Sequence, residues 1–409
     1  MASTELTAET TGSGNRAGIY LAFLQLVFTL GWTTYVIYLP KLAAQVGIAP
    51  AAVILVLMMD QAIFTITDTA MGIAADRIAS LVGRLGMIVA LLTALSCAAF
   101  AALPFVAGAG AKSVFIALIV VWAITSSALR APPLLLLGKY AAKPKIPFLA
   151  ALAMLGYGLA GAVSPYLGVV LRDVDPRLPF VISSVVLLIT TLALSRVECD
   201  LANEAVLAKP ATLPRPFGTV PIIFIAAMVL LALGYQLHFA INSAPFYLRF
   251  AKPSDLQWLM PVFWIGFNIA MFPASLVVKH RGGLIVMGVA GLLGSVAVLV
   301  AQVAGGLNTE IVAQFIAGAA WGCMLMSAVS AALAIGHTGA EGRVTGLVFS
   351  ALALATFARM AAVAGGLQKL PEYAPLLHWA PVACWSVAGA GLLVIAAARV
   401  QQGTDFRKI

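Results

Sequence analysis

The run VILVLMMDQAIFTITDTAMGIAAD (53–76), with the polar turn RIASLVGRLG (77–86) after it, decides how this chain is read. The run is long enough to cross a bilayer, which takes about 20 residues. Yet Asp60 and Asp68 lie inside it. A carboxylate at membrane depth costs at least ~2.5–3.5 kcal/mol on insertion scales. Such residues face a bundle interior or a water-filled path, and they mark routes for ions or solutes. A single buried Asp also serves as hydrogen-bonded glue between helices. Two on one helix favour a functional reading.

Working outward, composition gives the class. Of 409 residues, 62% are hydrophobic and 10% charged, with mean hydropathy +1.04. Ordinary soluble domains carry about 25% charged residues. The expectation is an all-α, polytopic membrane protein whose first partner is the lipid bilayer. Residues 1–16 are polar and hold Glu5 and Glu9 before Arg16, unlike the basic start of a signal peptide. They are expected as a disordered cytoplasmic tail. Cysteines at 97, 199, 323 and 384 show neither pairing nor metal spacing, so free thiols and no metal are expected. The net charge of +9 does not point to nucleic acid, because membrane proteins collect basic residues on cytoplasmic loops. A GxxxxGK loop, an HExxH pair and a partnered nucleophile are all missing from the sequence, so no enzyme and no cofactor are expected. A monomer is expected.

Twelve apolar spans follow one another, at 17–40, 52–75, 85–107, 114–138, 147–171, 178–195, 219–246, 256–278, 284–304, 310–335, 345–366 and 375–398. The longest connection, 197–218, is rich in Pro and charge and divides the chain six plus six. Two six-helix bundles, 17–196 and 219–399, are expected around a cytoplasmic linker, with a short tail at 400–409. With both termini inside, 15 of the 24 Lys and Arg fall on the cytoplasmic side and 7 outside, while Arg130 and Arg359 lie within spans. That bias predicts cytoplasmic N and C termini, and the membrane is expected to be a cell's inner membrane. DTAMG (68–72) and NIAMF (268–272) sit at matching places in the two halves, a weak echo of an internal repeat.

At the turn after span 2, Gly72, Asp76, Arg77, Gly83 and Arg84 resemble the cytoplasmic motif of the major facilitator superfamily. There the pattern is Gly-x-x-x-Asp-Arg, followed by Gly and basic residues. The resemblance implies a secondary transporter that works by alternating access, with spans 2 and 11 as neighbours across the halves. Gly72 would let another helix approach, Asp76 would cap an adjacent helix or pair with Arg, and Arg77 and Arg84 would anchor the turn. The late second Gly, with Asp68 and Met71 before the motif, is similar to the glycoside–pentoside–hexuronide cation symporters. Those carry a further Asp where this chain has Phe64, so their sodium site is not carried over. Gly156, Gly158, Gly161, Pro165 and Gly168 in span 5 look like the Gly/Pro motif of proton-driven drug exporters, but Ser164 replaces the Gly of the Gly-Pro pair. Small residues for close packing, with a Pro bend, are the simpler reading.

The buried charges support a depth argument. Arg130 is 17 residues past Ser113 and Asp68 is 17 past Ala51, so the two are expected at one depth and as a pair. Asp60 and Arg359 are expected as a second pair, across the halves. Each Arg has a plainer alternative, reaching a headgroup or backbone carbonyls. His238 is a candidate to join a proton relay with the two Asp, although a lone His is more often a bonded core residue. Gln25, Thr29, Trp32 and Thr33 in span 1, Tyr235, Gln236 and Asn242 in span 7, Trp264 and Asn268 in span 8, and Trp321 in span 10 are candidates to line a solute cavity. The first reading is proton-coupled movement, in symport, of a small organic solute, with room for an anion beside Arg130 and Arg359. The alternatives are a proton-driven multidrug exporter and a cation-coupled sugar symporter.

Overall fold

A computed structural model of the chain describes residues 2–78, 84–141, 143–204, 218–336 and 339–401. Among them, twelve helices are long and apolar enough to cross a membrane. They are α1 (Asn15–Gln45), α2 (Pro50–Ile78), α3 (Arg84–Gly108), α4 (Lys112–Tyr140), α5 (Lys143–Val170), α6 (Arg177–Ala202), α7 (Thr219–Tyr247), α8 (Pro253–Arg281), α9 (Gly283–Gln302), α10 (Leu307–Ile335), α11 (Glu341–Ala364) and α12 (Pro371–Ala398). An even number of crossings puts both chain ends on one face, called the termini face below. Outward-facing side chains are apolar, as lipid contact requires: Ile66 is 71% exposed. All four cysteines are free thiols.

Two boundaries differ from the sequence expectation. The helix that contains α1 runs back to Ala2, so the expected tail continues it; no Pro interrupts the chain before Pro40. At the other end of the first half, helix persists to Glu204, past the expected start of the linker. The reason is Glu198, which is fully buried; its carboxylate accepts the backbone N–H of Gly86 at 2.8 Å. That bond satisfies one of the N–H groups left open at the start of α3. The rest of the linker (205–217), the end of the C-terminal tail (402–409) and Gly83 fall outside the described residues.

Within the first half α1 packs on α5 and α6, and α3 on α4 and α6; within the second, α10 packs on α8 and α9, and α12 on α7 and α9. The halves meet where α2 lies along α11, where α5 lies along α8 and α10, and where the end of α4 reaches α11. Glycine makes the α2–α11 contact possible: a Cβ at Gly72 would strike the carbonyl of Gly342, and one at Gly346 would strike the carbonyl of Asp68. Gly156 lies as tightly against Ala22 and Leu26 of α1, and Gly158 and Gly161 against Phe267, Asn268 and Trp264 of α8. In α5, Gly156, Gly158 and Gly161 therefore serve close packing, whereas a Cβ at Gly168 would meet nothing within 4 Å.

Two helices are broken at mid-length. In α4, helix Lys112–Ser126 passes through a tight turn, Ser127–Leu129, before helix resumes at Ala131–Tyr140. Pro132 and Pro133 are the cause, because proline has no N–H to return to the preceding turn. In α7 the chain widens into a π-turn at His238–Asn242. Such turns gather at functional positions.

Candidate functional site

Arg130 sits at the break in α4, between the tight turn and the two prolines. Its Nη1 donates to Asp68 Oδ2 at 2.9 Å. Asp68 is fully buried, while the Arg130 side chain is 15% exposed. The guanidinium also lies 3.8 Å from the centre of the Phe64 ring. Phe64 thus fills the place of a further acid with a ring face that attracts the cation. Gln25 is a tie between α1 and α4. It is buried and donates to the carbonyl of Leu129 at 3.2 Å, the group that Pro133 leaves without its helical donor.

Asp60 and Arg359 do not pair. The Tyr35 hydroxyl donates to Asp60 Oδ2 at 2.8 Å, in a cluster that includes Trp32, Phe64 and Trp122. Arg359 Nε donates to Gln236 Oε1 at 2.9 Å, and Gln236 Nε2 donates to Thr356 Oγ1 at 2.9 Å. Helical geometry explains the mismatch. Ser350 meets Thr69 of α2 at 2.7 Å, and Arg359 lies nine residues further along α11, about two and a half turns. It therefore leaves from the side away from α2, toward α7.

His238 does not join the two Asp. Its Nε2 meets Gln314 Oε1 at 3.1 Å, within the second half. Asn242 is likewise a tie inside that half, donating to the carbonyl of Leu377 at 3.0 Å. In α1, the Thr33 hydroxyl turns back to the Thr29 carbonyl at 3.0 Å, and Trp32 stacks on Trp122 at 5.6 Å. The Thr33 bond stays within α1, whereas Trp32 ties α1 to α4 and lines a small pocket inside the first half with Phe28, Gly31 and Phe100.

The remaining candidates converge at the boundary of the halves. Tyr235 of α7 stacks flat on Trp321 of α10, with centres 4.5 Å apart and planes 3° apart. Tyr157 of α5 lies close to the Tyr235 hydroxyl and stands edge-on to Trp264 at 5.4 Å. Tyr157 lies within electrostatic reach of Arg130, and Tyr235 within reach of Arg359. A line of groups therefore runs from Asp68 through Arg130, Tyr157 and Tyr235 to Arg359. Of these two guanidinium groups, Nη1 of Arg130 and Nε of Arg359 are the nitrogens engaged by side-chain acceptors. Nearby, Asn268 Oδ1 and Trp321 Nε1 are buried without partners. Tyr157 escaped the sequence reading because its neighbours Gly156 and Gly158 marked the segment as packing.

The termini face is closed. Asp76 reaches across the halves to cap α11: its Oδ1 accepts from Gly342 N at 2.6 Å and its Oδ2 from Arg343 N at 2.8 Å. Lys139 at the end of α4 lies between the charges of Glu198 and Glu341. Arg77 and Arg84 end α2 and begin α3 on the exposed rim.

Residues 21–360 match the family model described as Major Facilitator Superfamily. No curated protein is a significant sequence match to the chain. Several solved structures share its fold. A bacterial homologue of the iron transporter ferroportin, outward-facing, superposes with TM-score 0.71 at 14% identity, covering 94% of this chain and 100% of that one. The fucose:proton symporter FucP of E. coli gives 0.68 at 13%, covering 93% and 99%. The human organic anion transporter MFSD10 gives 0.63 at 16%, covering 93% and 98%.

Proposed function

Since the chain belongs to the Major Facilitator Superfamily and is a multi-pass secondary transporter, we propose that it carries a small organic anion together with a proton. The observation that carries this reading is the placement of Arg130 and Arg359. Each half supplies one guanidinium, each keeps nitrogens open, and a tyrosine pair lies between them. A planar fork of donors suits a carboxylate. An anion that engages Arg130 competes with Asp68 for it. A carboxylate sealed from water without its cation is costly, so Asp68 then takes a proton and travels neutral. Anion and proton thus load together. Tyr157 and Tyr235 part to admit the solute, and Gln236 holds Arg359 in place.

The closed termini face is the cytoplasmic one in this reading, supported by the bias of Lys and Arg toward it, and the membrane is a cell's inner membrane. Asp76, Gly72, Arg77 and Arg84 form the latch that opens in the other half of the cycle. The test is a thermal-shift screen of purified protein against carboxylates, neutral sugars and organic cations. A ligand of the folded state raises the melting temperature. Carboxylates are expected to give shifts that Arg359→Gln abolishes, and their uptake into proteoliposomes should acidify the lumen. Shifts with sugars alone refute the anion. A second reading has one observation in its favour. Asp60 makes no salt bridge among the described residues, although Arg130 is within electrostatic reach, and its partner Tyr35 stands in the cluster of Trp32, Phe64 and Trp122, surroundings that suit an organic cation. Cation-induced shifts lost in Asp60→Asn would favour that drug-exporter reading.

A further inference from the structure

Glu310 lies in the first turn of α10, and its side chain is fully buried. Its Oε2 faces Arg249 Nη2 at 3.3 Å, and that arginine side chain is 35% exposed. Its Oε1 accepts from Gln314 Nε2 at 2.8 Å. Gln314 Oε1 in turn meets Ser243 Oγ and His238 Nε2, each at 3.1 Å. An amide oxygen only accepts, so His238 carries a proton on Nε2, and its buried Nδ1 is left bare. His238 and Ser243 bracket the π-turn of α7. The chain of contacts therefore leads from a solvent-facing cation, through a sealed carboxylate, to the irregular turn.

The pair is lopsided. Arg249 also donates to the carbonyls of Ala301 and Gln302 at the end of α9 and stands over Phe246 at 4.8 Å. It has acceptors and water to turn to. Glu310 has one cation and one amide donor. The other groups that face the pair are Tyr247, whose hydroxyl has no partner, and His378, which feels the charge of Arg249. Neither replaces the arginine. If Arg249 withdraws, the carboxylate must be neutralised to stay buried.

We propose that Glu310 is a second proton-binding site, separate from Asp68 and loaded from the face opposite the termini, whose occupancy is passed to the π-turn of α7 through Gln314 and His238. One proton from water joins Oε2, and Arg249 keeps its charge in solvent. The Gln314 bond to Glu310 then loses its charge assistance, which loosens the ties to His238 and Ser243. The inference rests on the proton-coupled reading above.

The probe is the proton itself. Infrared difference spectra of the full chain in lipid nanodiscs, taken between acid and alkaline buffer with no solute added, report protonated carboxyl groups directly. Beside the carboxyl absorption of the other acids, wild type is expected to show a band of a sealed carboxyl that Glu310→Gln removes, with unchanged helical content by circular dichroism. Arg249→Gln keeps the carboxylate and is expected to move the pH at which the band appears. A band that persists in Glu310→Gln, or one that Arg249→Gln leaves unmoved, overturns the proposal. If that persistent band is lost in Asp68→Asn, coupling through the first half stands without this site. No such band in wild type sinks the proposal but leaves the proton-coupled reading to the proteoliposome acidification, because Asp68 takes its proton only when an anion engages Arg130.

Discussion

Phe64 holds the Arg130 guanidinium on its face, so one side chain keeps a further acid out of the helix and fixes the cation beside Asp68. A partly desolvated contact of this kind is worth about 1–2 kcal/mol. Phe64→Leu should lower the unfolding temperature in detergent by that amount of stability; an unchanged melting curve refutes the role. The Asp68–Arg130 pair was legible in the sequence, because both residues lie equally far from the start of parallel helices. The same depth argument failed for Asp60 and Arg359. Counting residues along a helix gives height, whereas direction turns by about 100° per residue and depends on which stripe of α11 faces α2. Glu310 and Arg249 were missed for another reason. They sit at the ends of their spans, where a charge reads as ordinary surface.

Among the helices, the break in α4 is local chemistry with a partner elsewhere. Pro133 leaves the Leu129 carbonyl open, and Gln25 of α1 closes it. Gln25→Leu should cost about 1–3 kcal/mol, the penalty for a buried polar group left alone. Adding Pro133→Ala restores a backbone donor one turn away, so the double variant should regain part of the lost stability. Simple additivity in thermal unfolding would refute the coupling. The Pro pair was plain in the sequence, but its consequence for α1 was not, since Gln25 read equally well as a cavity residue. The α2–α11 contact makes its own prediction. Gly72→Ala should push the helices apart and raise the reactivity of a cysteine reporter at position 350 from the termini face. Gly31→Ala, with nothing within 4 Å of the added carbon, should leave that reactivity unchanged.

At the scale of the whole molecule, twelve helices able to cross a membrane followed from hydropathy, and the one long polar connection gave the expectation of a six-plus-six division. Lipid forbids unpaired backbone at depth, so long apolar stretches have little choice but to be helices. The packing between the halves was not legible, because shape complementarity between glycines and carbonyls leaves no periodic signal. Orientation can be read with a native thiol. Cys199 is exposed near the termini face, whereas Cys97 is buried and Cys323 and Cys384 are half-buried within spans. A membrane-impermeant maleimide should label Cys199 in inside-out vesicles and spare it in intact cells; the reverse pattern would invert the topology. The flat stack of Tyr235 on Trp321 has a last consequence. A cargo molecule that prises Tyr157 from Tyr235 must disturb the indole beneath, so the protein's own ultraviolet emission becomes a gauge of occupancy, read without dye, label or radioisotope.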